Sequence, residues 1–165
     1  MQQRIQLTLF AEPEETLLIE KVRKAFNPVQ FALIRAHVTL CREDMLLQKD
    51  MVLKHLSHTA HPFITIRFGK PARFAEGRGL FLPATEDTQF QLLRSHILQD
   101  ISCPVIAQEP HITLIHPRNA TCTDAIFEEV CRMKLPEQLT FKRVSLIEQI
   151  NGKEWKPLRE FPLRG

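Results

Sequence analysis

Short apolar-polar alternations and longer stripes at helical spacing take turns along this chain, and together they predict most of its elements. Residues 5–11 alternate as a strand does, and Glu12-Pro13-Glu14-Glu15 then supplies the proline and acidic side chains of a helix's first turn. Leu17, Leu18, Ile19, Val22 and Phe26 form the stripe of that helix, which should stop near Asn27-Pro28. A second strand is expected over residues 32–41. A helix opened by Arg42-Glu43-Asp44 follows to about residue 57, carried by Met45, Leu46, Val52, Leu53 and Leu56. Residues 63–69 and 77–82 read as strands joined through a connection containing Pro and Gly. A helix over 86–99 should turn Phe90, Leu92, Leu93, His96 and Ile97 inward. A strand is expected after Pro110, then a helix over 125–133 with Ile126, Phe127, Val130 and Met133 on its buried stripe. Residues 140–150 read as one strand. Asn151-Gly152 is a strong hairpin signal that returns the chain through Trp155 to Leu158.

The order β-α-β-α-β-β-α-β-α-β-β predicts an α+β fold whose sheets are covered on one side by helices, leaving a cleft on the other. A length of 165 residues suits one domain spanning 1–165, built as two lobes that share a core. Each half of the chain carries one strand of unusual composition. The first contains His37-Val38-Thr39-Leu40 and the second His111-Ile112-Thr113-Leu114, 74 positions later. In an extended strand residues i and i+2 share a face, so each tetrad sets a histidine beside a threonine and sends two aliphatic side chains to the core. A shuffled chain of this composition holds roughly 0.1 such tetrads, so two together point away from coincidence. Facing each other, they would offer two imidazoles that exchange protons near neutral pH and two hydroxyls that can bind an oxyanion.

Composition narrows the classes of function. The chain is 25% charged and 44% hydrophobic, an ordinary globular balance. No apolar run approaches the ~20 residues of a membrane span, and the amino terminus lacks the apolar core of an export signal, so a cytosolic protein without a membrane partner is expected. Cys41, Cys103, Cys122 and Cys131 form no Cys-x-x-Cys pair and are read as reduced, small hydrophobes. A net charge of +3 permits a phosphate-bearing partner without demanding one. Lys21-Val22-Arg23-Lys24 and the spread Arg67, Lys70, Arg73 and Arg78 would suit such a partner, although solvated faces explain charge runs more often. His55, His58 and His61 are spaced closely enough to suggest a metal, but Thr59 and Pro62 break the helix and a structural role fits better, so no metal or cofactor is expected. Trp155 could stack on a base, with core packing the commoner use of such a residue.

Cleaving a phosphodiester without metal requires a base for the attacking oxygen and an acid for the leaving one, and two histidines can divide that labour. Paired His-x-Thr-x motifs on strands in a chain of this size resemble the 2H phosphoesterase superfamily, which includes 2'-5' RNA ligase-like proteins and cyclic phosphodiesterases. The segment Leu7-Thr8-Leu9-Phe10-Ala11-Glu12-Pro13-Glu14-Glu15 is similar to the family's first strand and helix start. The resemblance implies a bilobal, pseudo-twofold fold of two antiparallel sheets with outer helices and a central cleft. It implies His37 and His111 as catalytic residues and Thr39 and Thr113 as substrate-binding residues. It also implies metal-independent opening of 2',3'-cyclic phosphates or 2'-5' phosphodiester bonds on RNA or a nucleotide, by a monomer. A non-catalytic module that binds RNA ends in the same cleft is the competing reading. The family's basic side chain after the second motif would be His116 or Arg118. Arg118 lies beyond a proline, and His116 would face the core if its strand continues that far.

Overall fold

The computed structural model describes residues 1–164. Two antiparallel sheets carry the site. The first is four-stranded, in the order β2-β1-β8-β9, and is built from β1 (Gln3–Leu9), β2 (Val38–Cys41), β8 (Arg143–Ile150) and β9 (Lys156–Pro162). The second runs β4-β5-β3-β7, with β6 on β5, and comprises β3 (Ile64–Phe68), β4 (Ala72–Phe74), β5 (Gly79–Glu86), β6 (His111–Ile115) and β7 (Gln138–Phe141). The helices are α1 (Leu17–Phe26), α2 (Pro28–Leu33), α3 (Lys49–His58), α4 (Thr88–Ile97) and α5 (Asp124–Cys131). The α+β class and the antiparallel sheets are as expected.

Several elements depart from the pattern-based reading. The strand expected from residue 32 starts only at Val38, because Pro28 at the first helical position pre-sets φ and opens α2 instead. Asn27 ends α1 with its N–H on the Arg23 carbonyl at 2.8 Å and turns the chain between the two helices. The helix expected from residue 42 begins as a 3-10 turn, Glu43–Met45, before α3. The strand expected over 140–150 is two strands in different sheets, separated at Lys142, with β7 pairing to β3 and β8 to β1. Hence the sheets do not follow sequence halves: the first takes strands from both ends of the chain, and the second lies between them. The Asn151-Gly152 hairpin forms with φ of 51° and 71°, as its turn chemistry demands, and β9 continues past Leu158 to Pro162. Leu17, Leu18 and Leu92, placed inward by periodicity, are exposed.

The core lies between the sheets and their helices. Leu7, Leu9, Val38 and Leu40 from the first sheet are fully buried with Leu80, Ile66 and Ile115 from the second. Ile19 and Val22 of α1, Val52 and Leu56 of α3, and Phe90, Leu93 and Ile97 of α4 cover it. The edge carbonyl of Leu40 on β2 is met by the buried Arg94 of α4, whose Nε donates to it at 2.9 Å. A carbonyl that would otherwise be orphaned thus ties the second sheet's helix to the first sheet's edge. None of the four cysteines is in a disulfide.

Candidate active site

Strand parity makes the site. On β1, Leu7 and Leu9 point to the core, and the alternate positions Arg4, Gln6 and Thr8 share the opposite face. Thr8 aligns with Thr39 across β1 and β2, and Gln6 Nε2 donates to Thr8 Oγ1 at 2.8 Å. On β6 the burial alternates in the same sense, with Ile112 and Leu114 inside and His111 and Thr113 half-buried. Strands β2 and β6 approach one another, so that the two polar faces border one cavity of about 210 Å³. His37, Thr39, His111 and Thr113 all line it.

The two histidines are held in the same way. His37 Nδ1 lies 2.7 Å from the carbonyl of Arg35, and His111 Nδ1 lies 2.9 Å from the carbonyl of Glu109, each two residues upstream. A carbonyl oxygen only accepts, so each Nδ1 carries the hydrogen and donates it, and Nε2 of a neutral ring keeps a free lone pair. A phenylalanine flanks each ring, Phe10 beside His37 at 6.0 Å between centroids and Phe81 edge-on to His111 at 5.7 Å. Below His37 lies a buried clamp. Arg23, 2% exposed, pairs with Glu20 and donates from Nη2 to the Ile34 carbonyl at 2.7 Å, while the Ala36 N–H donates to Glu20 Oε2 at 3.2 Å. These bonds fix the segment that delivers His37 to the end of β2. Burial, together with the charges of Arg23 and His111, lowers the His37 pKa from 6.5 to about 4, against a raising contribution from its bond to Arg35.

Charge around the cavity is one-sided. Arg4, Arg23, Arg42 and Arg118 line it, and no Asp or Glu does among the described residues. Both basic candidates after the second tetrad reach it: β6 ends at Ile115, which frees His116 from core parity, and Arg118 folds back with Nη2 at 3.2 Å from His116 Nε2. Burial and the charges of Arg118 and Arg4 lower the His116 pKa. Asn27, 1% exposed, accepts from the His116 N–H at 2.7 Å and donates to Asn119 Oδ1 at 2.7 Å, so the α1–α2 corner holds the turn after β6.

Other sequence candidates fall elsewhere. Trp155, read mainly as a core residue, instead borders the cavity, with its backbone N–H on the Leu33 carbonyl at 2.9 Å and the Arg4 guanidinium 5.3 Å from its ring centroid. Of Lys21, Arg23 and Lys24 only Arg23 lines the cavity. Arg67, Lys70, Arg73 and Arg78 do not, and Arg73 is consumed by Asp124 and by the carbonyls of Gly77 and Cys122. His58 is exposed at the end of α3, whereas buried His61 packs against His96 at 4.9 Å between centroids and His55 donates from Nδ1 to the Ile97 carbonyl at 3.2 Å. Among the described residues no group of three or more His, Cys, Asp or Glu side chains is placed to hold a metal ion. No helix there is long and apolar enough to cross a membrane. Pattern reading missed Gln30, Arg42 and Gln108, which come from separate segments and meet only in the folded cavity. Arg4 and Gln6 were missed as well, although their alternation with the apolar positions of β1 is a signal that could have found them.

Known proteins share this architecture. Escherichia coli LigT, in a crystal structure complexed with NADP+, matches with a TM-score of 0.69 at 15% identity, covering 99% of this chain and 98% of that one. The same protein complexed with 3'-AMP matches with a TM-score of 0.60 at 16% identity, over 99% of both chains. A crystal structure described as a phosphoesterase matches at 0.64 and 16% identity, over 99% of this chain and 100% of that one. TT0787 of Thermus thermophilus matches at 0.60 and 16% identity, over 98% of both. At such identities the likeness concerns the fold. No curated protein sequence matches the chain. The model of the 2'-5' RNA ligase superfamily, however, matches residues 10–153, a span that contains both tetrads, and the chain therefore belongs to the 2'-5' RNA ligase superfamily.

Proposed function

We propose that this protein is a metal-independent phosphoesterase that opens 2',3'-cyclic phosphates or 2'-5' phosphodiester bonds of RNA or nucleotides, acting as a single two-lobed domain. One observation carries the reading. His37 and His111 border the same cationic cavity, each with Nδ1 on a carbonyl two residues upstream and a threonine two residues downstream.

The chemistry follows from protonation. With its pKa lowered to about 4, His37 is neutral at pH 7, and its Nε2 is suited to take the proton of the attacking water. His111 would then deliver a proton from its ring to the ester oxygen that leaves phosphorus. The hydroxyls of Thr39 and Thr113 would donate to the non-bridging oxygens, and the surrounding arginines would balance the charge gathered there in the transition state. No step in this division of labour calls for a metal. That LigT is described in complexes with phosphate, 3'-AMP and NADP+ supports a phosphate-bearing nucleotide or RNA as the partner.

Hydrolysis of a 2',3'-cyclic nucleotide should persist in excess chelator. His37→Ala and His111→Ala should each lower kcat by about 10²- to 10⁴-fold, the range for loss of a general acid or base. Full turnover in both variants, or turnover that chelation abolishes, contradicts the proposal.

A further inference from the structure

Beside the histidine cleft lies a second cavity of about 410 Å³, lined by Arg42, Phe74, Phe81, Ala107, Gln108, Glu109 and His111. Arg42, Gln108 and His111 also border the first cavity, so the two adjoin at His111. Three rings step along the junction. Phe81 stands edge-on to His111 at 5.7 Å between centroids, and Phe74 stands edge-on to Phe81 at 5.5 Å. The outer ring is fixed from below, since a Cβ at Gly79, opposite Phe74 in the β4–β5 ladder, would collide with it. Glycine is therefore required for the ring to lie there. The same hairpin turns through Ala75, Glu76 and Gly77 with φ of 54°, 58° and 89°.

We propose that this second cavity seats a nucleobase of the substrate, with Phe74 as the residue that confers base-dependent affinity. The proposal rests on the assignment of the histidine cleft to a phosphate ester. A phosphate held between His37 and His111 has organic substituents that extend beyond it, and on the side of His111 the neighbouring rings are Phe81 and then Phe74. The lining suits a heteroaromatic ring: flat apolar faces from Phe74 and Phe81, with an amide at Gln108, a guanidinium at Arg42 and a carboxylate at Glu109 to meet the edge of a base. Stacking on such a face is tolerant of base identity, whereas the edge groups can discriminate. The cavity is within the ~300 to 1,000 Å³ typical of small-ligand sites. Trp155 borders the first cavity and not this one, which makes it the internal comparison.

Calorimetric affinities of the whole protein for 3'-AMP and for ribose 3-phosphate test the inference without requiring turnover. The wild type should bind 3'-AMP about 5- to 150-fold more tightly, the range expected from one base-aromatic stack, and Phe74→Ala should erase that difference while leaving ribose 3-phosphate unchanged. Phe74→Tyr should restore it. If Phe74→Ala melts early, Phe74→Leu, which keeps an apolar wall without a flat face, should show the same loss. Equal wild-type affinity for the two ligands overturns the subsite, as does a preference that survives Phe74→Ala and disappears in Trp155→Ala. Base-dependent binding by a protein that turns over no cyclic phosphate would support the subsite and overturn the reaction. Turnover without base-dependent binding would do the reverse.

Discussion

At the scale of single residues, His37 carries the sharpest expectation. Its pKa, held near 4 by burial and the neighbouring Arg23, lies below the ordinary 6.5 of the unfolded chain. Between those values the unfolded chain binds a proton that the folded one refuses, so the stability present above pH 6.5 should drain as pH falls towards 4. Denaturant midpoints at pH 7 and pH 5 should differ in that sense, and His37→Asn should shrink the difference. An undiminished difference in the variant would place its origin in other groups, such as His61 and His116, whose pKa values are also lowered by burial. The same depression keeps the proposed base neutral in acid, so the acidic limb of kcat/KM should fall near pH 4, and a limb near 6.5 would contradict it. The tetrads were readable because a period of two is a local property. The carbonyls that orient their rings also lie only two residues away, but whether a ring turns to such a neighbour is decided by the walls around it.

Elements show where local reading gave out. The α1–α2 corner looked like a helix end followed by a strand, and Pro28 was visible, but its second role, opening α2, was not. The corner holds the turn that carries His116 and Arg118: Asn27 bridges the His116 N–H and Asn119, whose Nδ2 donates to Gln30 Oε1 at 2.9 Å. Replacing Asn27 by Ala leaves the partly buried His116 N–H unpaired and should cost about 1 kcal/mol in denaturant unfolding. KM for a cyclic nucleotide should rise as the 116–119 turn loosens, and unchanged stability would show the corner to be dispensable. The split at Lys142 left only a shift of the apolar positions from Leu139 and Phe141 to Val144 and Leu146. No Gly or Pro interrupts residues 138–150, and the separation of β7 from β8 arises because their partners, β3 and β1, lie in different sheets.

For the whole molecule, that crossing is the organising feature. The first sheet is completed only when β8 and β9 return after the second sheet has been built, and one continuous core joins them. Calorimetric unfolding should therefore give a single transition, with Phe141→Ala, at a 1% exposed position just before the crossing, costing about 3 to 5 kcal/mol and lowering it as one unit. Two separated transitions would show the sheets to be independent. The α+β class was legible from element order, but the interleaving was not, because pairing partners distant in sequence leave no periodic trace. What brings His37 and His111 to one cavity is this long-range arrangement, and the proposed reaction depends on their acting together on one phosphate. Single-turnover hydrolysis of a 2',3'-cyclic nucleotide by His37→Ala, His111→Ala and the double variant measures that directly. Residues that work as a unit are not additive, so the double variant should be about as slow as the slower single one. Losses that multiply, or single variants that turn over like the wild type, would contradict a shared acid-base step.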